Sequence, residues 1–289
     1  MSTISFKKPF YTVKLNSAAF MLILFFIGTA LLSAWIDKIE RKLYGVKPGV
    51  YIGEYNIGSL YQNEVQLIIR EMALKHQQPP VEPAIDRESG GIIPGQNGYQ
   101  IDIMKNVANI MASKKNQRLE LEVIYTSPEH ADSELEQAAE VLGAFETWVQ
   151  GSQQRVNNIS LAISGINNYL LWPEESFSFN EAVGPRTIER GFLPAPVIIG
   201  GEADIDYGGG VCQIASTLYN AVLASGLRVT ERHPHSKPVY YVAEGKDAAV
   251  NYGSLDLKFV NNRSGPVIIK AGFYQSKLWV EIKGKENKV

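Results

Sequence analysis

Residues 17–36, SAAFMLILFFIGTALLSAWI, run for 20 positions without a charge. At a helical rise of about 1.5 Å per residue, such a run spans a hydrocarbon layer of about 30 Å. Three fates suit it: a helix buried in a large core, a cleaved signal peptide, or a retained membrane anchor. The apolar run is long for a signal peptide, and LLSAW is a poor small-x-small cleavage site. The run is therefore expected to be a transmembrane helix over 17–36, with Trp35 at the far interface. Lys7, Lys8 and Lys14 precede it, and Lys38, Arg41, Lys42 and Lys47 follow. With basic residues on both sides, their count does not fix the orientation.

The remaining chain is long enough for a large and a small domain. YQNEVQLIIREMALKHQ places Val65, Ile68, Ile69 and Met72 at helical spacing. Residues 84–101 read as two strands around a glycine-rich turn, and a helix follows from about Ile103. QRLELEVIYTSPE alternates apolar and polar positions, as a strand does. Together these predict a small α+β module over residues 49–130. A second α+β domain is expected over 131–285. DSELEQAAEVLGAFETWV opens it with a helix-start signal and an acidic first turn. A further helix covers SQQRVNNISLAISGINNYLL, with Ile159, Ala162, Ile163 and Ile166 on one face. Several β-prone runs close the chain: RVTER, KPVYYV, AAVNYG, LDLKFVN, PVIIKAGF and KLWVEIKG.

The chain's one cysteine lies in YGGGVCQIAS, where glycines lead into an apolar helical run that ends at Gly226. One cysteine excludes an internal disulfide and a multi-cysteine metal cluster. A thiol at a helix N-terminus has its pKa lowered by the dipole, and the free N–H groups can hold an oxyanion. Gln213 offers a further side-chain donor. His233 and His235 follow in ERHPHSKP, then Asp247 and Asp256. A thiol nucleophile needs a base within reach and a carboxylate to orient that base. Cys212, His235 or His233, and Asp247 or Asp256 supply those types in one region. Three other readings stand beside this one. Cys212 can be a packing residue. The two histidines, two apart, can join Cys212 and an Asp around zinc. RHPHS can simply form a turn that supports the loop. A net charge of -2 gives no reason to expect nucleic acid.

FSFNEAVGPRT, GGGVCQIASTLYNA, ERHPHSKPV and the KDAAVNYGSLDLKF stretch resemble the VanW family in order and spacing over about residues 140–270. One departure is LWPEESFSFN, where the family has a proline-glycine pair and this chain has Glu174. The preceding module, about 51–127, looks like the peptidoglycan-binding domain often placed before VanW domains, chiefly through IIPGQNGYQID. The family takes its name from vancomycin-resistance clusters. The resemblance implies a cell-envelope location, with residues 1–16 as a cytoplasmic tail and both domains outside. It also implies a peptidoglycan or wall-peptide partner.

The expected fold is thus α+β: a transmembrane helix, a small α+β module, and a C-terminal α+β domain with a Cys-bearing helix on a mostly antiparallel sheet. The candidate catalytic group is Cys212, His235, Asp247, His233 and Gln213. The candidate substrate-binding neighbours are Gly209, Gly210, Ser216, Thr217, Tyr219, Asn180 and Arg186. No metal or cofactor is expected. A wall-peptide transpeptidase or amidase and a non-catalytic wall-binding module are the two functional expectations.

Overall fold

A computed structural model describes residues 17–199 and 202–286. Residues 1–16, read from the sequence as a cytoplasmic tail, lie outside that range. The protein is mixed α+β and divides into two compact units. One comprises residues up to Pro79 together with Gly98–Thr126, and the other comprises Pro80–Asn97 with Ser127 onwards.

In the first unit, helix α1 (Ser17–Tyr44) holds the whole apolar run, and none of its residues in that run is buried. It fits a single-pass membrane anchor by length and composition. The helix does not stop at the end of the apolar run but continues through Tyr44. There Arg41 donates to Asp37 at 2.9 Å and to both carboxylate oxygens of Glu64 at 2.7 and 2.9 Å. Its guanidinium also lies 4.5 Å from the centre of the Tyr61 ring. Glu64 sits in the first turn of α2 (Gln62–His76) and accepts from the Tyr61 N–H at 2.8 Å, so one carboxylate caps α2 and holds α1. Val65, Ile69, Met72 and Ala73 form the buried stripe of α2, at the spacing read from the sequence. They pack with Val46, Val50, Ile52 and Ile101, and with Val107 and Ile110 of α3 (Ile103–Met111).

In the second unit, a four-stranded antiparallel sheet runs in the order Glu140–Trp148, Lys277–Gly284, Val267–Tyr274, Tyr169–Leu171. The segment DSELEQAAEVLGAFETWV therefore departs from the helical reading. Helix α4 covers only Asp132–Gln137, and Glu140–Trp148 is a strand. Valine, phenylalanine, threonine and tryptophan favour a pleated surface, and the pairing with Lys277–Gly284 decides the outcome. Helices α5 (Gln153–Ile166) and α7 (Val211–Ala224) lie on this sheet. A Cβ on Gly143 would lie 2.4 Å from the Ser225 nitrogen and 2.5 Å from the Ala221 oxygen, so glycine is what lets the strand meet the end of α7.

A second antiparallel sheet, Ser176–Ser178, Lys258–Val260, Arg228–Glu231, closes the core. Phe177, Phe179, Phe192 and Phe259 are fully buried there. Each contributes on the order of 1.5–3 kcal/mol relative to exposure. Short helix α6 (Phe179–Val183) follows the first strand, and a hairpin, Pro194–Ile199 with Glu202–Tyr207, leads into the glycine loop. The Pro80–Asn97 segment, read as part of the 49–130 module, is stitched into this unit. Arg87 donates to the Gly165 carbonyl at 2.6 Å, and Asn168 donates to the Arg87 carbonyl at 2.9 Å.

Candidate active site around Cys212

Cys212 is the second residue of α7, half-buried, with Val211 between it and Gly208–Gly210. Gly210 has φ 107°, a left-handed conformation that glycine adopts without strain. Gly209 is required for a different reason: an added Cβ would lie 2.7 Å from the carbonyl oxygens of both Ala195 and Pro196. Asn158 of α5 donates to the Gly209 carbonyl at 3.2 Å and to the Leu193 carbonyl at 2.8 Å, which fixes the loop from beneath. At the helix start, the Val211 N–H is taken by Gly208 and the Gln213 N–H by Gly210. Between them, the Cys212 N–H has no hydrogen-bond partner among the described residues.

An extended segment, Lys246–Val250, runs along α7. The Cys212 thiol donates to the Val250 carbonyl at 3.5 Å. Ser216 accepts from the Ala248 N–H at 2.8 Å, and Asn220 donates to the Lys246 carbonyl at 2.7 Å. Cys212, Ser216 and Asn220 are four apart on one helix stripe, while their partners are two apart on an extended chain. Four helical residues rise about 6.0 Å and two extended residues about 6.6 Å, so the two repeats stay in step. Small side chains at Ala248 and Ala249 allow the close approach.

The intervening residues face the other way. The Ala249 N–H donates to the His233 carbonyl at 2.8 Å, and the Arg232 Nε donates to the Asp247 carbonyl at 2.6 Å. The Asp247 carboxylate accepts from Arg232 at 2.6 Å through Oδ1, and from the His235 backbone N–H and ring Nδ1 at 2.6 and 2.7 Å through Oδ2. A carboxylate only accepts, so Nδ1 carries hydrogen and Nε2 is left to face other groups. The Tyr241 hydroxyl lies 3.5 Å from Nε2, and Cys212 is near enough to His235 for each group to shift the other's charge.

The charges agree with that geometry. Burial pushes the Cys212 thiol up, but His235, the Val250 carbonyl contact and the charge of Arg186 outweigh it, and its pKa falls below the ordinary value. Burial pushes His235 down, yet Cys212 and Asp247 hold it above its ordinary value. Burial raises Asp247, and the His235 donors with Arg232 bring it below the usual carboxylate range. Burial, more than any neighbour, drives the Tyr241 hydroxyl upward, so it stays a neutral donor.

The structure thus joins His235 to Asp247 by two hydrogen bonds and brings Cys212 within electrostatic reach of His235. His233 instead points its Nε2 at Glu231, 3.0 Å away. Asp256 is taken by the Ser178 hydroxyl at 2.6 Å and the Asn180 N–H at 2.9 Å. Gln213 departs from its expected place as an oxyanion donor. Its fully buried amide donates to Thr147 and to the Trp148 carbonyl, and accepts from Arg155 at 2.8 Å. Ser216 and Thr217, expected on the cleft wall, are fully buried; Thr217 bonds to Thr147 at 2.9 Å. Asn180 bonds to Arg186, and Tyr219 packs under Arg232, whose guanidinium is 5.5 Å from its ring centre. Among the described residues, no three His, Cys, Asp or Glu side chains converge as metal ligands do. Sequence reasoning missed Arg155, Asn158, Asn220, Arg232 and Tyr241. Of these only Asn220 leaves a signal, completing a polar stripe with Cys212 and Ser216.

Comparison with known proteins adds the following. A family model described as VanW like protein matches residues 154–283. An uncharacterized protein of Bacillus subtilis, YoaR, is 34% identical over 220 residues, covering 74% of this chain and 72% of YoaR. The vancomycin B-type resistance protein VanW of Enterococcus faecalis is 28% identical over 115 residues, covering 38% of this chain and 42% of that protein. No solved structure matches the chain.

Proposed function

The chain belongs to the VanW family, and from that premise we propose that it is a cell-envelope protein whose Cys212 performs acyl or amide transfer or hydrolysis on wall peptides. Helix α1 anchors it, and both folded units stand on the extracytoplasmic side. The folded part of the first unit, which overlaps the 49–130 module, binds peptidoglycan. An open cleft of mixed lining supports that role, with polar Asn106, Asn109, Ser113, Gln117, Glu120 and Glu122 beside apolar Ile52, Ile110, Ala112 and Leu119. The second unit, which holds the 131–285 domain, carries the chemistry. The relative named for vancomycin resistance extends the proposal to a role under glycopeptide stress.

The observation that supports the catalytic reading is the His235–Asp247 pair, with ring Nδ1 held by the carboxylate and Cys212 close enough for His235 to lower its pKa. His235 Nε2 takes the thiol proton, and the thiolate attacks the amide carbonyl carbon. The carbonyl π electrons move to oxygen, where the Cys212 N–H donates. The intermediate collapses, the C–N bond breaks, and the leaving amine takes the proton from His235. A thioester remains on Cys212. Water or an acceptor amine then gives its proton to His235 and attacks the thioester, and the thiolate leaves. Asp247 keeps the ring in one tautomer and stabilises its cation.

The test is intact-mass measurement of the full chain in detergent with muropeptides. An acyl adduct on Cys212 that hydroxylamine removes, absent in Cys212→Ala, supports the reading. Bound muropeptide without any adduct, and full function of Cys212→Ala in cells, would make this a non-catalytic wall-binding module.

A further inference from the structure

Among the described residues, two buried side-chain polar atoms have no hydrogen-bond partner: Nε of Arg155 and Nη2 of Arg186. Both guanidinium groups belong to side chains that press on the glycine loop before Cys212. A Cβ at Gly208 would lie 2.8 Å from Cγ of Arg186, and one at Gly210 would lie 3.0 Å from Cγ of Arg155. A buried donor without a partner costs about 1–3 kcal/mol, and more for a charged group. Two such donors on one loop point to a ligand group that is absent from the free protein.

Nearby carboxylates do not serve. Asp247 is spent on Arg232 and His235, and Asp256 on Ser178 and on the backbone N–H groups of Asn180 and Leu257. Arg186 Nη1 is held by Asn180 Oδ1 at 2.7 Å, which fixes the plane of the guanidinium and leaves Nη2 facing no acceptor. Its charge also acts directly on Cys212. The thiolate is not a lasting partner for it, because that charge disappears once the sulfur is acylated.

We propose that Arg186 receives a carboxylate of the substrate, so that the acyl donor is an anionic peptide with a free carboxylate close to the attacked bond. The planar fork of arginine suits a carboxylate, and its charge does not depend on pH in the physiological range. The inference rests on Cys212 being the reacting atom. It adds the class of molecule that Cys212 meets.

The experiment compares two alkylating reagents of nearly equal size on the full chain in detergent: anionic iodoacetate and neutral iodoacetamide. Cys212 is the one cysteine, so every adduct reports on it. The rate ratio of the two reagents cancels the thiolate fraction. In the folded chain, the iodoacetate-to-iodoacetamide ratio should exceed that of the unfolded chain by about 10-fold, the worth of one charge-assisted hydrogen bond. Arg186→Gln should bring it back to the unfolded value, and Arg186→Lys should keep part of it. Equal ratios in the folded wild type and Arg186→Gln would overturn the proposal. The wild-type chain gives an independent reading should Arg186→Gln not fold. N-acetylglycine should slow iodoacetamide, and N-acetylglycinamide should not; equal effects of the two would also overturn it. If Cys212 resists both reagents until the chain unfolds, the catalytic reading fails by itself. The carboxylate site is then read from the unfolding midpoint. A rise with N-acetylglycine but not with its amide sustains the site, and no rise removes it.

Discussion

One oxygen of Asp247, Oδ2, accepts from His235 twice, from the backbone N–H at 2.6 Å and from ring Nδ1 at 2.7 Å. Main chain and imidazole are thereby fixed by the same atom, and the ring cannot rotate without leaving Asp247. Replacing Asp247 with Asn removes the charge that balances Arg232 and leaves one donor facing an amide N–H₂. Stability should fall by about 1–3 kcal/mol at pH 7 in urea unfolding. The folded-state pKa of Asp247 is depressed, so its contribution is present above its unfolded value of about 3.9 and is lost as pH falls through the lower folded value. The difference between wild type and Asp247→Asn should therefore be full at neutral pH and close in acid. A difference that stays constant in acid would remove Asp247's charge from the account.

Cys212 should be alkylated at a rate that rises through a midpoint below about 8.5, the ordinary thiol value. In His235→Ala that midpoint should move upward, because the burial that raises the thiol pKa remains while the ring that lowers it is gone. Rates measured with iodoacetamide from pH 5 to 10 decide this. An unchanged midpoint would detach His235 from the thiol.

Gly209→Ala should be among the more costly single changes in the second unit. Its backbone needs no glycine conformation, but the new methyl meets two carbonyl oxygens at 2.7 Å, and backbone cannot swing aside as a side chain does. Overpacking of this kind costs about 1–3 kcal/mol. Thermal unfolding checks it; a variant as stable as wild type would mean that the loop moves freely.

Glu174 has φ 64°, in the left-handed region that favours glycine. It is exposed, so little packing is lost with its side chain. Glu174→Gly should relieve a left-handed strain of about 1–2 kcal/mol, less what glycine adds to unfolded-chain entropy, for a net gain of up to about 1 kcal/mol. A lower unfolding midpoint would show that the Glu174 side chain holds the turn by other means.

Much of this is legible in the amino-acid sequence. The period of α2 names its buried stripe, the apolar run names α1, and the glycines before Cys212 mark a tight loop opening a helix. The choice of His235 over His233, and of Asp247 over Asp256, is not legible there. It depends on which face of an extended segment each residue takes once Ser216 and Asn220 have fixed the other face. The same pairing explains why AAVNYG forms no strand despite its composition. Helix side chains take backbone groups of 246–250 that a neighbouring strand would otherwise occupy. Arg155 is hidden for another reason: far upstream of Cys212 in the chain, it reads as an ordinary cation in the first turn of a helix.

Helix α1 passes from its apolar run into the first unit without a break, and Arg41 locks its last turns to Glu64. The helical residues beyond Ile36 make a stalk of about 12 Å, with no swivel along it. A span held in lipid tilts when the hydrocarbon layer thins, at a cost of fractions of a kcal/mol per Å. In a chain with a loose tether that tilt would end at the headgroups. With α1 as the proposed anchor, the lean of the span becomes the lean of the first unit, and bilayer thickness becomes an input to how that unit meets its surroundings.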